Sequence, residues 1–312
     1  VRIVVGTRGS ALARWQARHV AARLVERHPG LEIEERTIAT EGDLRAEAPL
    51  SGSDVGLFVR HIEHALLERR IDLAVHSLKD LPTEQPEGLA LAAIPQRHDP
   101  RDALLSLAGH ALEELPAGTR IGTGSPRRRS QLLHARPDLA TAPIRGNVDT
   151  RVRKLERGEY GAIVLALAGL ERLGLASVPY RPIDPAVCLP AVGQGALAIE
   201  ARADDERTRG IAAVLDDGDT RRAVEAERAF LRELGGGCLA PATGWATIAD
   251  GELTLRAAVG DADGLELLRD EERGPADEGP EIGCRLARRM AAAGAARLIG
   301  LSRAAARRPG AR

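Results

Sequence analysis

Apolar positions in this chain come in short runs that end abruptly in polar loops. Arg2 to Val5 reads as a strand, and Ser10 is placed to cap a helix from about Ala11 to His28. Leu31 to Thr37 predicts a second strand. Thr40 to Val55 holds Gly42, Pro49, Ser51, Gly52 and Ser53 and reads as a loop. Phe58 to Arg69 has helical periodicity and leads into a strand over Ile71 to Val75, and Leu89 to Ile94 completes a βαβ-like layer.

A second α/β unit is expected to begin near Pro100. Arg120 to Ser125 is a strand running into a glycine bend, and Pro126 starts a helix that continues to Ala135. Ala142 to Asn147 gives another strand-to-loop transition, followed by a helix over Thr150 to Arg157. Tyr160 to Leu167 is an apolar strand running into a helix near Leu170. Pro185 to Gly195 reads as a connector, and Ala196 to Glu200 as a strand able to return to the first unit. A helix from about Thr220 to Leu234, strands over Gly244 to Ile248 and Leu253 to Val259, and a helix from Pro280 to Ala293 suggest a third domain. The closing Arg/Ala/Gly/Pro tail reads as a frayed helix or a disordered end.

Composition narrows the function classes. At 312 residues the chain is long enough for two or three domains, and 44% hydrophobic with 29% charged residues is a globular profile. A formal net charge of -1 argues against broad nucleic-acid or acidic-membrane binding but leaves room for a local basic cleft. Aromatic residues are 2%, too few for base-stacking platforms. Cys188, Cys238 and Cys284 are odd in number and widely spaced, forming neither a disulfide framework nor a metal-ligand cluster. The opening Val-Arg-Ile-Val-Val reads as a strand rather than a signal-peptide core, and no apolar run spans a membrane. A soluble protein in a reducing cytoplasm is the expectation.

The most informative stretch is Ile71-Asp-Leu-Ala-Val-His-Ser-Leu-Lys-Asp-Leu-Pro82. His76, Ser77, Lys79 and Asp80 follow a buried strand, and the carboxyl ends of strands in open α/β sheets are where ligands bind. Lys79 is one of only two lysines among 44 Lys and Arg residues. Asp80 can act as acid, base or stabiliser of positive charge, or simply close a loop salt bridge. His76 can transfer protons, or pack and orient a neighbour. Arg8, Arg127, Arg128, Arg145 and Arg151 stand on or beyond strand ends, where guanidinium groups suit carboxylates or phosphates. Converging between two domains, they would form a polyanion pocket; singly, each could be a solvated surface cation. Gly122 to Ser125 before a helix can turn N–H groups toward an anion but lacks a complete P-loop pattern. Ser10 and Ser125 cap helices as readily as they bind ligand. Cys238 follows Gly235-Gly-Gly237, which can leave its thiol accessible.

Three readings compete at this point. A two-lobed polycarboxylate-binding module explains the arginines but gives Asp80 and the thiol no shared purpose. A phosphate-transfer enzyme lacks the lysine pattern and a metal cluster. An enzyme working on a polyanion uses all of them.

Six motifs in shared order decide among these: Gly6-Thr-Arg-Gly-Ser10 with Trp15-Gln16, Val75-His-Ser-Leu-Lys-Asp-Leu-Pro82, Gly122-Thr-Gly-Ser-Pro-Arg-Arg128, Ile144-Arg-Gly-Asn-Val-Asp-Thr-Arg151, Val192-Gly-Gln-Gly-Ala196 and Gly235-Gly-Gly-Cys238. With them the chain resembles the porphobilinogen deaminase (hydroxymethylbilane synthase) family over almost its whole length. The resemblance implies an α/β fold of three domains. The first two (1–98 plus 196–217, and 99–195) resemble type-2 periplasmic-binding-protein lobes, and a small α/β third (218–312) carries Cys238. It implies a transferase of tetrapyrrole and heme biosynthesis that joins four porphobilinogen molecules head to tail with loss of ammonia, then hydrolyses off linear hydroxymethylbilane. Cys238 would hold a dipyrromethane cofactor through a thioether. Asp80 would be catalytic. Arg127, Arg128, Lys79, Asp80, Thr123, Ser125, Arg145 and Gly146 would bind the cofactor, and Arg8, Ser10, Gln16, Ser77, Arg145, Asn147 and Arg151 the substrate and growing polypyrrole chain. One departure stands out. Family members often carry Gly-Lys-Gly-Leu-Phe where this chain has Asp54-Val55-Gly-Leu-Phe58, so Val55 replaces the usual lysine. Either Arg60 supplies that charge or the segment serves mainly as a lid.

Overall fold

The structure, a computed structural model, describes residues 1–38, 57–175, 177–235 and 240–306. The expected loop Thr40 to Val55, with Val55 itself, lies outside the described residues. The described chain divides into two compact units: Val1–His98, Glu171–Gly174 and Gly195–Arg221 form the first, and the remainder forms the second.

The first unit is built on one five-stranded sheet. Its members are β1 (Arg2–Thr7), β2 (Glu32–Thr37), β3 (Leu73–Ser77), β4 (Leu89–Ala93) and, from much later in the chain, β10 (Leu197–Arg202). The order is β2-β1-β3-β10-β4, parallel across β2, β1 and β3, with β10 antiparallel to both neighbours. Helix α1 (Ala11–Arg27) covers one face through Ala17, Val20 and Leu24, and α2 (Leu57–Leu67) packs Ile62, Ala65 and Leu66 with Ile71 and Ala74. Helix α6 (Glu206–Ala213) follows β10 and is capped by Asp205, which accepts from Thr208 N–H at 3.0 Å.

Strand β3 starts two residues later than the apolar run suggests. Asp72 is held outside the ladder, its Oδ2 accepting from Val4 N–H at 2.8 Å. His76 and Ser77 therefore belong to the strand, and Leu78–Asp80 makes a single 3₁₀ turn beyond it.

The second unit contains two sheets. The first comprises β5 (Asp102–Leu105), β6 (Arg120–Gly122), β7 (Ala140–Ala142), β8 (Ala162–Ala166) and β9 (Tyr180–Pro182), in the order β7-β6-β8-β5-β9. Its plan repeats that of the first unit. Three parallel strands are followed by one antiparallel to both its neighbours, so β6, β7, β8, β5 and β9 correspond to β1, β2, β3, β10 and β4. Helices α3 (Pro126–Ala135), α4 (Val148–Glu156) and α5 (Leu167–Leu173) connect its strands. The other sheet is an antiparallel meander of β11 (Ala242–Ala249), β12 (Glu252–Gly260) and β13 (Leu267–Pro275). With α7 (Gly218–Glu233), α8 (Gly279–Met290) and α9 (Ala296–Ala306) it closes a core around Phe230, Leu253, Leu255, Ile282, Leu286 and Leu298. Strands β5, β9 and β13 and helix α6 were absent from the sequence-based expectation.

Candidate functional site

In the first unit, β1 and β3 are parallel neighbours whose following segments leave the same edge of the sheet, the position where doubly wound sheets open a crevice. A cavity of about 70 Å³ lies there, and Arg8, Ser10, Gln16, His76, Ser77 and Asp80 line it. Ser10 caps α1, its Oγ accepting from Ala13 N–H at 3.3 Å, which fixes the loop that carries Arg8. One turn along the same helix, buried Gln16 donates from Nε2 to Ser77 Oγ at 2.8 Å, tying α1 to the end of β3. Asp80 is exposed at the end of the 3₁₀ turn, and half-buried Lys79 precedes it on that turn. Val59, Ile62 and Val75 supply an apolar side. The cavity thus offers a carboxylate, a guanidinium and hydroxyl groups against an apolar wall.

The second unit builds its groups at the equivalent strand ends. Gly122-Thr-Gly-Ser125 at the end of β6 matches Gly6-Thr-Arg-Gly-Ser10 at the end of β1, and Ser125 likewise caps the next helix, accepting from Arg128 N–H at 3.4 Å. Ser125 N–H donates to Thr123 Oγ1 at 3.2 Å, and Thr123 N–H to Ala142 O at 2.9 Å. After β7, Gly146 adopts φ 104°, a conformation other residues resist, and a Cβ there would meet Thr150 Cγ2 at 2.7 Å. Arg151 Nε donates to Gly146 O at 2.8 Å, and Lys154 Nζ to Arg145 O at 3.3 Å. Arg145 and Arg151 are half-buried and Asn147 is exposed. These side chains therefore share one turn, with Thr123 and Ser125 on the adjoining strand end.

Arg127 and Arg128 are placed differently from the strand-end cations expected. They fall in the first turn of α3, are buried, and turn inward onto Asp102 at the start of β5. Arg127 Nη1 donates to Asp102 Oδ2 at 2.7 Å and to Leu189 O at 2.6 Å. Arg128 donates from Nη2 to Asp102 Oδ1 at 2.8 Å and from Nη1 to Val164 O at 2.9 Å. Burial opposes the Asp102 charge, but the two guanidinium groups outweigh it and hold the carboxyl below the usual carboxylate range. The Nε atoms of both arginines are buried and have no hydrogen-bond partner among the described residues.

The cysteines differ sharply. Burial pushes the Cys188 thiol up to about 12, so it is not a nucleophile at neutral pH. Cys284 is half-buried. Cys238 lies outside the described residues. Sequence reasoning did not single out Asp102, Glu63 or Glu200. Each is a lone acid in an otherwise ordinary segment, and only the folded chain shows it to be buried beside charged partners. Among the described residues no group of three or more His, Cys, Asp or Glu could hold a metal ion.

A sequence profile described as "Porphobilinogen deaminase, dipyromethane cofactor binding domain" matches residues 3–210, and one described as "Porphobilinogen deaminase, C-terminal domain" matches residues 221–292. A porphobilinogen deaminase from Desulforudis audaxviator (strain MP104C) is 50% identical over 305 residues, 97% of this chain and 99% of that one. Among solved structures, the methionine-binding protein MetQ aligns with a TM-score of 0.43 at 15% identity, over 69% of this chain and 89% of its own. The BenM effector-binding domain aligns with a TM-score of 0.41 at 17% identity, over 72% and 92%. Two adjoining profiles of one family, and a relative sharing half its residues over nearly the whole length of both proteins, lead to one conclusion: the chain belongs to the porphobilinogen deaminase family.

Proposed function

We propose that the cavity around Asp80 is the condensation centre of this enzyme, and that Asp80 is its catalytic carboxylate. The activity is that of the family: a transferase of tetrapyrrole biosynthesis that joins four porphobilinogen molecules head to tail, releasing ammonia at each addition, and then hydrolyses off linear hydroxymethylbilane. The observation that carries the assignment is the grouping of Asp80 with Arg8, Ser10, Gln16 and Ser77 on one cavity at a sheet's crevice.

The chemistry calls for those groups. Loss of ammonia from the substrate's aminomethyl carbon leaves an electron-poor methylene-pyrrolenine with positive charge on its ring nitrogen. A carboxylate facing that nitrogen stabilises the charge, and after carbon–carbon bond formation it can accept the proton the ring must lose. Arg8 binds a substrate carboxylate and so orients the ring; Ser10, Gln16 and Ser77 complete the polar lining. In the second unit Arg145, Asn147 and Arg151 bind carboxylates of the substrate and the growing chain.

The family's cofactor-binding domain is present, and the described residues fit an acetate- and propionate-bearing dipyrrole. The Thr123–Ser125 turn, Gly146 with its positive φ, and the partnerless Nε atoms of Arg127 and Arg128 all suit anionic groups. Thr123, Ser125, Arg145, Gly146, Arg127 and Arg128, with Lys79 and Asp80 from the first unit, would hold it, and Cys238 would attach it through a thioether. When bound, the dipyrromethane supplies the pyrrole carbon to which the first unit is joined. Asp102 fixes the guanidinium groups of Arg127 and Arg128 in place.

The same reading extends to a three-domain division (1–98 plus 196–217, 99–195, 218–312), with the first two domains as type-2 periplasmic-binding-protein lobes. Their repeated strand plan supports it. A cytoplasmic monomer that binds neither nucleic acid nor membrane is in keeping with the near-neutral net charge. No helix among the described residues is long and apolar enough to cross a membrane.

Substitution and mass measurement test the assignments together. Asp80→Ala is expected to lower porphobilinogen consumption by at least about 10²-fold while leaving the circular dichroism spectrum unchanged, because Asp80 is exposed. Turnover at the wild-type rate rejects its role. Intact mass with peptide mapping is expected to find a two-pyrrole adduct on Cys238, with successive increments on adding porphobilinogen and no stable adduct in Cys238→Ala. An active preparation with Cys238 unmodified overturns the attachment site.

A further inference from the structure

Behind the Asp80 cavity lies a buried cluster of ionisable groups that the reading above leaves without a task. His76 faces Ala198 across the β3–β10 ladder, and Glu200 faces Ala74, so the two side chains are diagonal neighbours on one face of the sheet. His76 Nε2 stands 3.3 Å from Glu200 Oε2. Glu200 is 0% exposed, and neither of its oxygens has a hydrogen-bond partner among the described residues. Glu63 on α2 is buried as well, and its Oε1 also lacks a partner. Burial pushes the Glu63 carboxyl up and Glu200 adds to that, while His76 and Arg60 oppose it.

Such an arrangement is expensive if it serves packing alone. A buried carboxylate without hydrogen bonds is strongly disfavoured, and apolar residues would fill the same volume at lower cost. Two acids and one imidazole in a dry site are best satisfied by sharing protons. One member of the group also reaches the reaction chamber: His76 lines the cavity together with Asp80, Arg8 and Ser77. Val59 and Ile62, from the helix that carries Glu63, line the same cavity. The charged groups around His76 are thus Glu200 from β10 and Glu63 from α2, itself influenced by Arg60, with Asp80 from the 3₁₀ turn and Arg8 from the loop after β1 on the same cavity.

We propose that His76, beside Glu200 and with Glu63 close by, is a proton-holding and positioning residue for the Asp80 centre. The proposal rests on Asp80 being that centre. In each addition the carbon–nitrogen bond of the substrate's ammoniomethyl group breaks and its electron pair leaves with ammonia. The π electrons at the α-carbon of the chain's terminal pyrrole form the new carbon–carbon bond, and that carbon then sheds its proton to Asp80. Ammonia and this proton together make one ammonium ion, so the step balances without a further reactant. Asp80 must be emptied before the next addition. His76, on the same cavity wall, takes the proton into the Glu200–Glu63 pair and returns it to solvent with the departing ammonia.

The test uses full-length holoenzyme and the substitutions Glu200→Gln, Glu63→Gln and His76→Gln, with Asp80→Ala alongside. Porphobilinogen consumption is followed against pH, and the His76 ring against pH by ¹⁵N-histidine NMR. Glu200→Gln is expected to cut kcat about 10²-fold with little change in KM, and to displace the acid limb of the pH–rate profile. Glu63→Gln, an isosteric change at a residue outside the cavity lining, should move that limb and the His76 titration midpoint in a folded protein, even should His76→Gln fail to fold. Unchanged profiles and an unchanged midpoint in Glu63→Gln and Glu200→Gln, with only thermal stability lowered, overturn the proposal. Normal turnover in Asp80→Ala instead removes the reading on which it rests.

Discussion

Asp102 shows how one residue can govern a lobe while leaving little trace in the sequence. It is fully buried, and its two oxygens take Arg127 and Arg128, with Gln194 Nε2 donating to Oδ1 at 2.8 Å. Removing that charge strands two guanidinium groups in a dry interior. Asp102→Asn is therefore expected to lose about 3–5 kcal/mol of stability at pH 7, measured by guanidinium chloride unfolding. The folded carboxyl lies below its unfolded value, so the stabilisation is present above about pH 4 and is lost as pH falls through the folded value. The difference between wild type and Asp102→Asn should accordingly shrink in strong acid; an equal difference at every pH would contradict the pairing. Asp80, Arg8, Ser10 and Cys238 could be picked out of the sequence because each sits in a compact motif. Asp102 could not, because its partners lie 25 and 26 residues away and meet it only in the fold.

Elements were legible where apolar residues carried the pattern. Helix α3 begins at Pro126 and ends at Ala135, as the proline and the Ser125 cap indicate. Strand β13 was hidden because its stretch, Leu-Leu-Arg-Asp-Glu-Glu-Arg-Gly-Pro, reads as a charged loop. It is an edge strand held by ion pairs: Arg289 from α8 reaches Asp270 at 2.6 Å and also pairs with Glu272. Strand β5 was hidden behind its buried aspartate, and β9 is only three residues long. Helix packing adds a constraint that periodicity does not reveal. Gly283 of α8 lies so close to α7 that a Cβ would meet Ala226 O at 2.4 Å and Phe230 N at 2.8 Å, both backbone atoms that cannot turn aside. Gly283→Ala is expected to cost about 1–3 kcal/mol. Gly210→Ala, in α6 with nothing within 4 Å, is expected to gain about 0.4–1 kcal/mol. Thermal unfolding of the two variants checks the contrast, and a stabilised Gly283→Ala would refute the close approach.

At the scale of the whole molecule, the first two lobes share a strand plan that no sequence repeat announced beyond the Gly-Thr-…-Ser turn before α1 and α3. The two compact units differ in how they hold charge, and that difference can be read out because each contains one of the two tryptophans. In the first unit Trp15 stacks on His19 at 4.9 Å and meets His98 edge-on at 6.4 Å, with Arg172 5.9 Å from its ring centre. Burial lowers the Arg172 guanidinium to about 10. It also lowers both imidazoles, with Arg172 and Arg23 adding to the effect in each case. These histidines are thus disfavoured as cations in the folded state. Their contribution is complete above the unfolded histidine value of about 6.5 and is lost as pH falls through the lower folded values. In the second unit Asp102 keeps its contribution well below that range. Acid titration of Trp245→Phe, which leaves Trp15 as the reporter, should show a fluorescence transition starting below about pH 6.5. Trp15→Phe, reporting from Trp245, should hold until below about pH 4. Coincident transitions would mean that the buried histidines and the buried aspartate do not set the acid limits of their own units.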